Sequence, residues 1–173
     1  MTEYLYKSAR TDGPYRYRLT RRWSRNLAPD KVLFVMLNPS TADGEQDDPT
    51  IRKCVGFAKR WGFGALEVVN LFAHRVTDPR DLLKAARAGV DVVGPKNQEA
   101  VYQASWGAEA IVAAWGRHGS LLDQCSRVID WLPKRFLIRP LVVDCLGLTA
   151  NGQPRHPLMV PYETRLQTFY SAD

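Results

Sequence analysis

Four apolar runs alternate with stretches of helical spacing: "KVLFVML" (Lys31 to Leu37), "ALEVVNLF" (Ala65 to Phe72), "EAIVAAWG" (Glu109 to Gly116) and "RPLVVDCL" (Arg139 to Leu146). A near-continuous apolar strand is one covered on both faces. Strands of that kind joined through amphipathic helices build βαβ units around a parallel sheet. The expected fold is therefore α/β, a three-layer α/β/α sandwich with a central, mainly four-stranded parallel sheet. Upstream, "YRYRLTRRW" (Tyr15 to Trp23) alternates aromatic or apolar with basic residues and predicts an exposed N-terminal edge strand or hairpin. The whole chain, residues 1–173, is expected to be one domain.

Helix starts are written locally. Asp48-Pro49 supplies a side-chain acceptor followed by proline at the first helical position. Ile51, Cys54, Val55, Ala58 and Trp61 then recur at helical spacing before Gly62. Asp78-Pro79 repeats the start signal, Pro95 opens a helix through Trp106, and Leu121 to Leu132 marks another, stopped by Pro133. The stretch "YETRLQTFY" after Pro161 predicts a C-terminal helix.

In open parallel sheets, ligands bind beyond the carboxyl ends of the strands. The loops there read "NPSTADGEQDD", "NLFAHRVTDPR", "WGRHGS" and "LGLTANGQPRHPL", rich in amides, histidine and arginine. Asn38 precedes Pro39, so it is pushed out of the helical region and held rigidly at a strand end, able to orient a water. Ser40 and Thr41 can form a small anion-binding nest. Asp43 and Asp47 are candidates for activating a water, whereas Asp48 reads as the helix cap. Asn70 ends a strand with an amide able to pair with a nucleobase edge, followed by Phe72. His156, extended before Pro157, lies in a loop with Arg155, and His118 is a weaker candidate. There is no Gly-x-x-x-x-Gly-Lys loop and no glycine-flanked nucleophilic serine.

Charge bears on the partner. Twenty-four Lys and Arg against 18 Asp and Glu give a net charge of +6, compatible with DNA or a nucleotide. Arg16, Arg18, Arg21, Arg22 and Arg25 cluster in the first segment, and Arg52, Lys53, Lys59 and Arg60 on one helix. Three widely spaced cysteines, Cys54, Cys125 and Cys145, predict a reducing cytoplasm and lack metal-site spacing. No apolar stretch has the length of a membrane span, and residues 1–10 hold no apolar signal region. Oligomeric state is left open.

These motifs together resemble the uracil-DNA glycosylase superfamily, in order and approximate spacing, over Lys31 to Val160. "VMLNPST" resembles the family's first motif, "EVVNLF" its middle strand, "AIVAAWG" its third strand and glycine, and "RHPL" its last motif. The run Leu37 to Asp43 also resembles a bacterial and phage family labelled a domain of unknown function. Met36 and Leu37 stand where that superfamily carries glycine, and Leu158 where it carries a DNA-contacting serine. The resemblance implies hydrolysis of an N-glycosidic bond with no cofactor or metal. Asn38 would position water, Asn70 would read the base, and His156 would face the leaving base. Phe57, Trp61 or Phe72 would stack on it. The rival expectations are a metal-dependent nucleotide-processing enzyme using Asp43 and Asp47, and a non-catalytic nucleic-acid or nucleotide-binding module.

Overall fold

The computed structural model describes residues 3–26, 30–136 and 139–172. Its strands are β1 (Tyr6–Asp12), β2 (Tyr15–Arg22), β3 (Lys31–Met36), β4 (Ala65–Asn70), β5 (Ala110–Ala113), β6 (Arg135–Phe136), β7 (Arg139–Pro140), β8 (Val142–Cys145) and β9 (Gln167–Ser171). Its α-helices are α1 (Pro49–Arg60), α2 (Pro79–Arg87), α3 (Asn97–Ser105) and α4 (Gln124–Trp131).

The main sheet is mixed and seven-stranded, in the order β1-β2-β4-β3-β5-β8-β9. β3 pairs in parallel with both β4 and β5, and β5 with β8. The flanking pairs are antiparallel: β1 with β2, β2 with β4, and β8 with β9. The sheet is thus wider than expected, for two reasons. First, of the expected edge strand or hairpin the hairpin forms, with β1 paired antiparallel beside β2 and taking the edge. Second, the expected C-terminal helix is instead strand β9. Gln167-Thr168-Phe169-Tyr170 is β-branched and aromatic, and its backbone completes β8, with Val143 opposite Tyr170. The start of the fourth expected strand, Arg139–Pro140, pairs with Arg135–Phe136 in a separate two-stranded ribbon.

Side-chain alternation on β3 explains why it lies near the centre. Val32, Phe34 and Met36 pack in one cluster with Ile51, Val55, Phe57 and Ala58 of α1. Leu33, Val35 and Leu37 pack in a second cluster with Leu82 of α2, Val101 of α3 and Val128 of α4. Each fully buried side chain of this size contributes about 1.5–3 kcal/mol. Both Asp-Pro helix starts form: Asp48 accepts from the Ile51 amide at 2.8 Å, and Asp78 from the Arg80 amide at 2.8 Å. Among the described residues, no helix is long and apolar enough to cross a membrane.

The arginines of β2 face inward. Arg21 is fully buried and donates to the Asp47 carboxylate at 2.7 Å and to the Asp43 carbonyl at 2.6 Å. Arg18 pairs with Glu67, which also accepts from Lys31 at 2.6 Å. Arg18 and Arg21 are thus paired with carboxylates inside the molecule.

Candidate functional site

β3 exchanges neighbours on both sides, and the chain returns across it between β4 and β5. At such a reversal the loops leaving adjacent strands diverge and open a crevice. Here they enclose a cavity of about 340 Å³. Asn38 and Ser40 line it from the loop after β3, Asn70 from the end of β4, Trp115 to His118 from the turn after β5, and His156 from the loop after β8. Arg16 of β2 and the N-terminus of α1, from Asp48 to Ile51, close the wall.

Asn38 is locked. Its Nδ2 donates to the Val76 carbonyl at 2.7 Å and to the Pro39 carbonyl at 3.0 Å. Both amide hydrogens are spent, so Oδ1 is what the side chain has left to offer, an acceptor suited to a water. Asn70 is the opposite case. It is 1% exposed, yet neither Nδ2 nor Oδ1 has a partner. Its main chain is pinned, because Nδ2 of the buried Asn97 donates to the Asn70 and Leu71 carbonyls at 3.0 and 3.1 Å. An unsatisfied buried polar group costs about 1–3 kcal/mol, a deficit that a ligand pairing with both atoms would remove.

His156 follows the same economy of donors. Its Nδ1 accepts from the Leu158 amide at 3.3 Å. The neutral ring is therefore the Nε2–H tautomer, and it offers the cavity a donor. Burial lowers its pKa below the ordinary 6.5, with Asp48 pulling the other way. The backbone beside it needs glycine: Gly116 has φ of +75°, and a Cβ there would lie 3.3 Å from the His156 Cβ. Three bonds tie these two loops together. The Gly116 amide donates to the Pro154 carbonyl at 2.8 Å, Trp115 Nε1 to Gln153 Oε1 at 2.8 Å, and Asn151 Nδ2 to the Arg117 carbonyl at 2.9 Å.

The lowered value has a measurable consequence. Between the folded pKa and 6.5 the unfolded chain holds more protons than the folded one. His156 thus contributes its full share of stability above 6.5 and loses it as pH falls through the folded value. Urea unfolding from about pH 7.5 down to about pH 5 should show a slope that His156→Gln reduces. An identical slope in the variant would mean that some other group titrates there.

Other expected residues lie elsewhere. Thr41 is exposed and does not line the cavity. Asp43 points back at its own turn, accepting the Glu45 and Gln46 amides at 2.7 and 2.8 Å, which holds its carboxyl below the usual range. Asp47 gives one oxygen to Arg21 and the other to the Tyr4 hydroxyl. Among the described residues, no three His, Cys, Asp or Glu side chains are grouped to hold a metal. Phe72 and Phe57 are fully buried in the core, and Trp61 lies against Phe34 at a centroid distance of 5.9 Å. None of the three lines the cavity; the aromatic that does is Trp115. Arg155 is exposed and lies outside the cavity, as its neighbour His156 faces in.

Several cavity residues are not assigned from the sequence, Trp115 and Arg16 foremost. Trp115 had a signal, since it opens a strand-end loop. Arg16 had only its membership of the first basic cluster, which does not tell it from its neighbours on β2. It is 3% exposed; Nη1 donates to the Ala42 carbonyl at 2.6 Å, and Nε has no partner. Burial lowers its pKa to about 10, with Asp48 opposing that shift, so the guanidinium stays charged at neutral pH.

A family model described as "Protein of unknown function (DUF1643)" matches residues 16–158, a span that includes every cavity-lining residue. No curated protein and no solved structure matches.

Proposed function

The chain belongs to the DUF1643 family, and from that premise we propose that it is a nucleobase- or nucleotide-binding hydrolase that cleaves an N-glycosidic bond. In this reading residues 1–173 form one domain of three α/β/α layers, related to the uracil-DNA glycosylase superfamily. The observation that carries the proposal is Asn70, a sealed strand-end amide with a free donor and a free acceptor in a cavity. That pair matches the hydrogen-bonding edge of a base. Trp115 borders the same cavity from the core side, and the volume suits a single nucleoside or nucleotide rather than a duplex.

The chemistry follows from what each group has left to give. Asn38 Oδ1 accepts a hydrogen bond from a water and aims its oxygen at the anomeric carbon. The bond from that carbon to the base nitrogen breaks, and its electron pair leaves with the base. The water oxygen bonds to the carbon and its proton passes to solvent. Negative charge gathers on a base oxygen, where His156 Nε2–H donates to it. The metal-dependent alternative loses ground, because the Asp43 and Asp47 carboxylates already serve internal donors.

The test is a mass-spectrometric and calorimetric screen of bases, nucleosides and single- and double-stranded DNA. Asn70→Ala should weaken binding of the favoured base about 10- to 100-fold and relax base choice, with the single-turnover constant nearly unchanged. Equal affinity of wild type and Asn70→Ala for every base would overturn the assignment. Persistent binding with no product after long incubation would leave a binding module.

A further inference from the structure

Two of the three other arginines of β2 pair with carboxylates, and the third, the half-buried Arg22, has no partner on Nε but lies outside the cavity that Arg16 lines. Arg21 has the Asp47 carboxylate, and the half-buried Arg18 has Glu67. Arg16 has a carbonyl on Nη1 and nothing on Nε, and no carboxylate within ion-pair distance among the described residues. A buried cation without an anion is unfavourable unless something supplies one. The cavity it lines holds a single carboxylate, that of Asp48, already accepting the Ile51 amide as a helix cap. Arg117 adds a second guanidinium at the rim.

We infer that the cavity contains an oxyanion subsite at Arg16 and that its ligand is a nucleoside monophosphate, free or swung out of a chain, with the phosphate against the Arg16 guanidinium. The inference rests on the nucleobase reading of the same cavity. With Nη1 turned to Ala42, the Nε edge of the guanidinium remains, and that edge can meet two oxygens of one phosphate. The hydroxyls of Ser40, Thr50 and Thr77 line the same space and can share the remaining oxygens. Thr50 also lies in the first turn of the 12-residue helix α1, the end at which negative charge is favoured. The sequence places its first basic cluster on β2. With Arg18 and Arg21 internally paired and Arg22 outside the cavity, the phosphate contact of that strand is the buried Arg16.

Calorimetry on the full chain tests this with four probes: inorganic phosphate, a nucleoside, its 5′-monophosphate, and a short single-stranded oligonucleotide. For wild type the monophosphate should bind about 10- to 100-fold more tightly than the nucleoside, the range of a hydrogen bond to a charged group. Inorganic phosphate should compete with it. Arg16→Gln should abolish the advantage and Arg16→Lys should retain part of it, while Asn70→Ala should weaken both ligands and preserve their ratio. Equal affinity of nucleoside and monophosphate for wild type overturns the subsite and leaves the nucleobase reading standing, whether or not the variants fold. Binding of phosphate without any nucleoside does the reverse. Oligonucleotide binding that falls steeply with salt and ignores Arg16→Gln would put the phosphate contacts on the surface and also overturn the subsite.

Discussion

Replacing His156 by alanine should slow bond cleavage in a single turnover by about 100- to 1,000-fold, with substrate affinity close to that of wild type. In the proposed mechanism the charge that Nε2–H meets exists only once the base begins to leave, so its loss would fall on the chemical step. Asn38→Ala should behave alike, since its Oδ1 aims a water that acts only as the bond opens. Asp43→Ala is the control, because that carboxylate accepts the Glu45 and Gln46 amides outside the cavity. It should cost stability but keep the single-turnover rate under conditions where the protein is folded. The measurement is product formed with enzyme in excess and chelator present. Full activity in both His156→Ala and Asn38→Ala, with loss in Asp43→Ala or on chelation, would replace the glycosidic mechanism by metal chemistry.

The second large effect concerns folding. Asp47→Ala should destabilise the protein by about 3–5 kcal/mol, read as a lower midpoint in urea with an unchanged slope. The Arg21 side chain is 0% exposed and that of Asp47 12%, so deleting the carboxylate strands a guanidinium that water cannot reach. Arg21 also holds the loop through the Asp43 carbonyl, and it donates to the Thr20 carbonyl at 2.9 Å. The double variant Arg21→Met, Asp47→Leu should recover part of the loss, because it removes the unanswered charge along with its partner. A cost below about 1 kcal/mol for Asp47→Ala would mean that the pair behaves like an exposed one.

How far the chain can be read without its structure depends on how local the cause is. The Asp48-Pro49 and Asp78-Pro79 starts are legible because a cap and its amide lie within three residues. The parallel strands are legible because burial on both faces leaves an apolar run. The inward turn of the β2 arginines is not, since their partners Asp47 and Glu67 lie 26 and 49 residues away from Arg21 and Arg18. Strand β9 is missed for the same reason: its aromatic, β-branched stretch acquires a purpose only beside β8. In the cavity, Asn38, Asn70 and His156 are legible as strand-end residues. Thr41 and Arg155 sit one position from Ser40 and His156 and face outward, a distinction that backbone direction makes and composition does not. Phe72 follows Asn70 closely in sequence, but its ring turns into the core with Leu33 and Val35.

The walls of the cavity come from both ends of the chain, Arg16 at one extreme and His156 at the other, 156 − 16 = 140 positions apart. For a ribosome this separation is a delay. At 5–20 residues per second, roughly 7 to 28 seconds pass between the emergence of the two. Until the last loop arrives the cavity lacks one wall, so the enclosure of Arg16 and Asn70 seen in the finished fold is incomplete. A nascent chain halted before Gln153 lacks the acceptor for Trp115 as well as the histidine. The cavity in this architecture is complete only once the loop after β8 has been made.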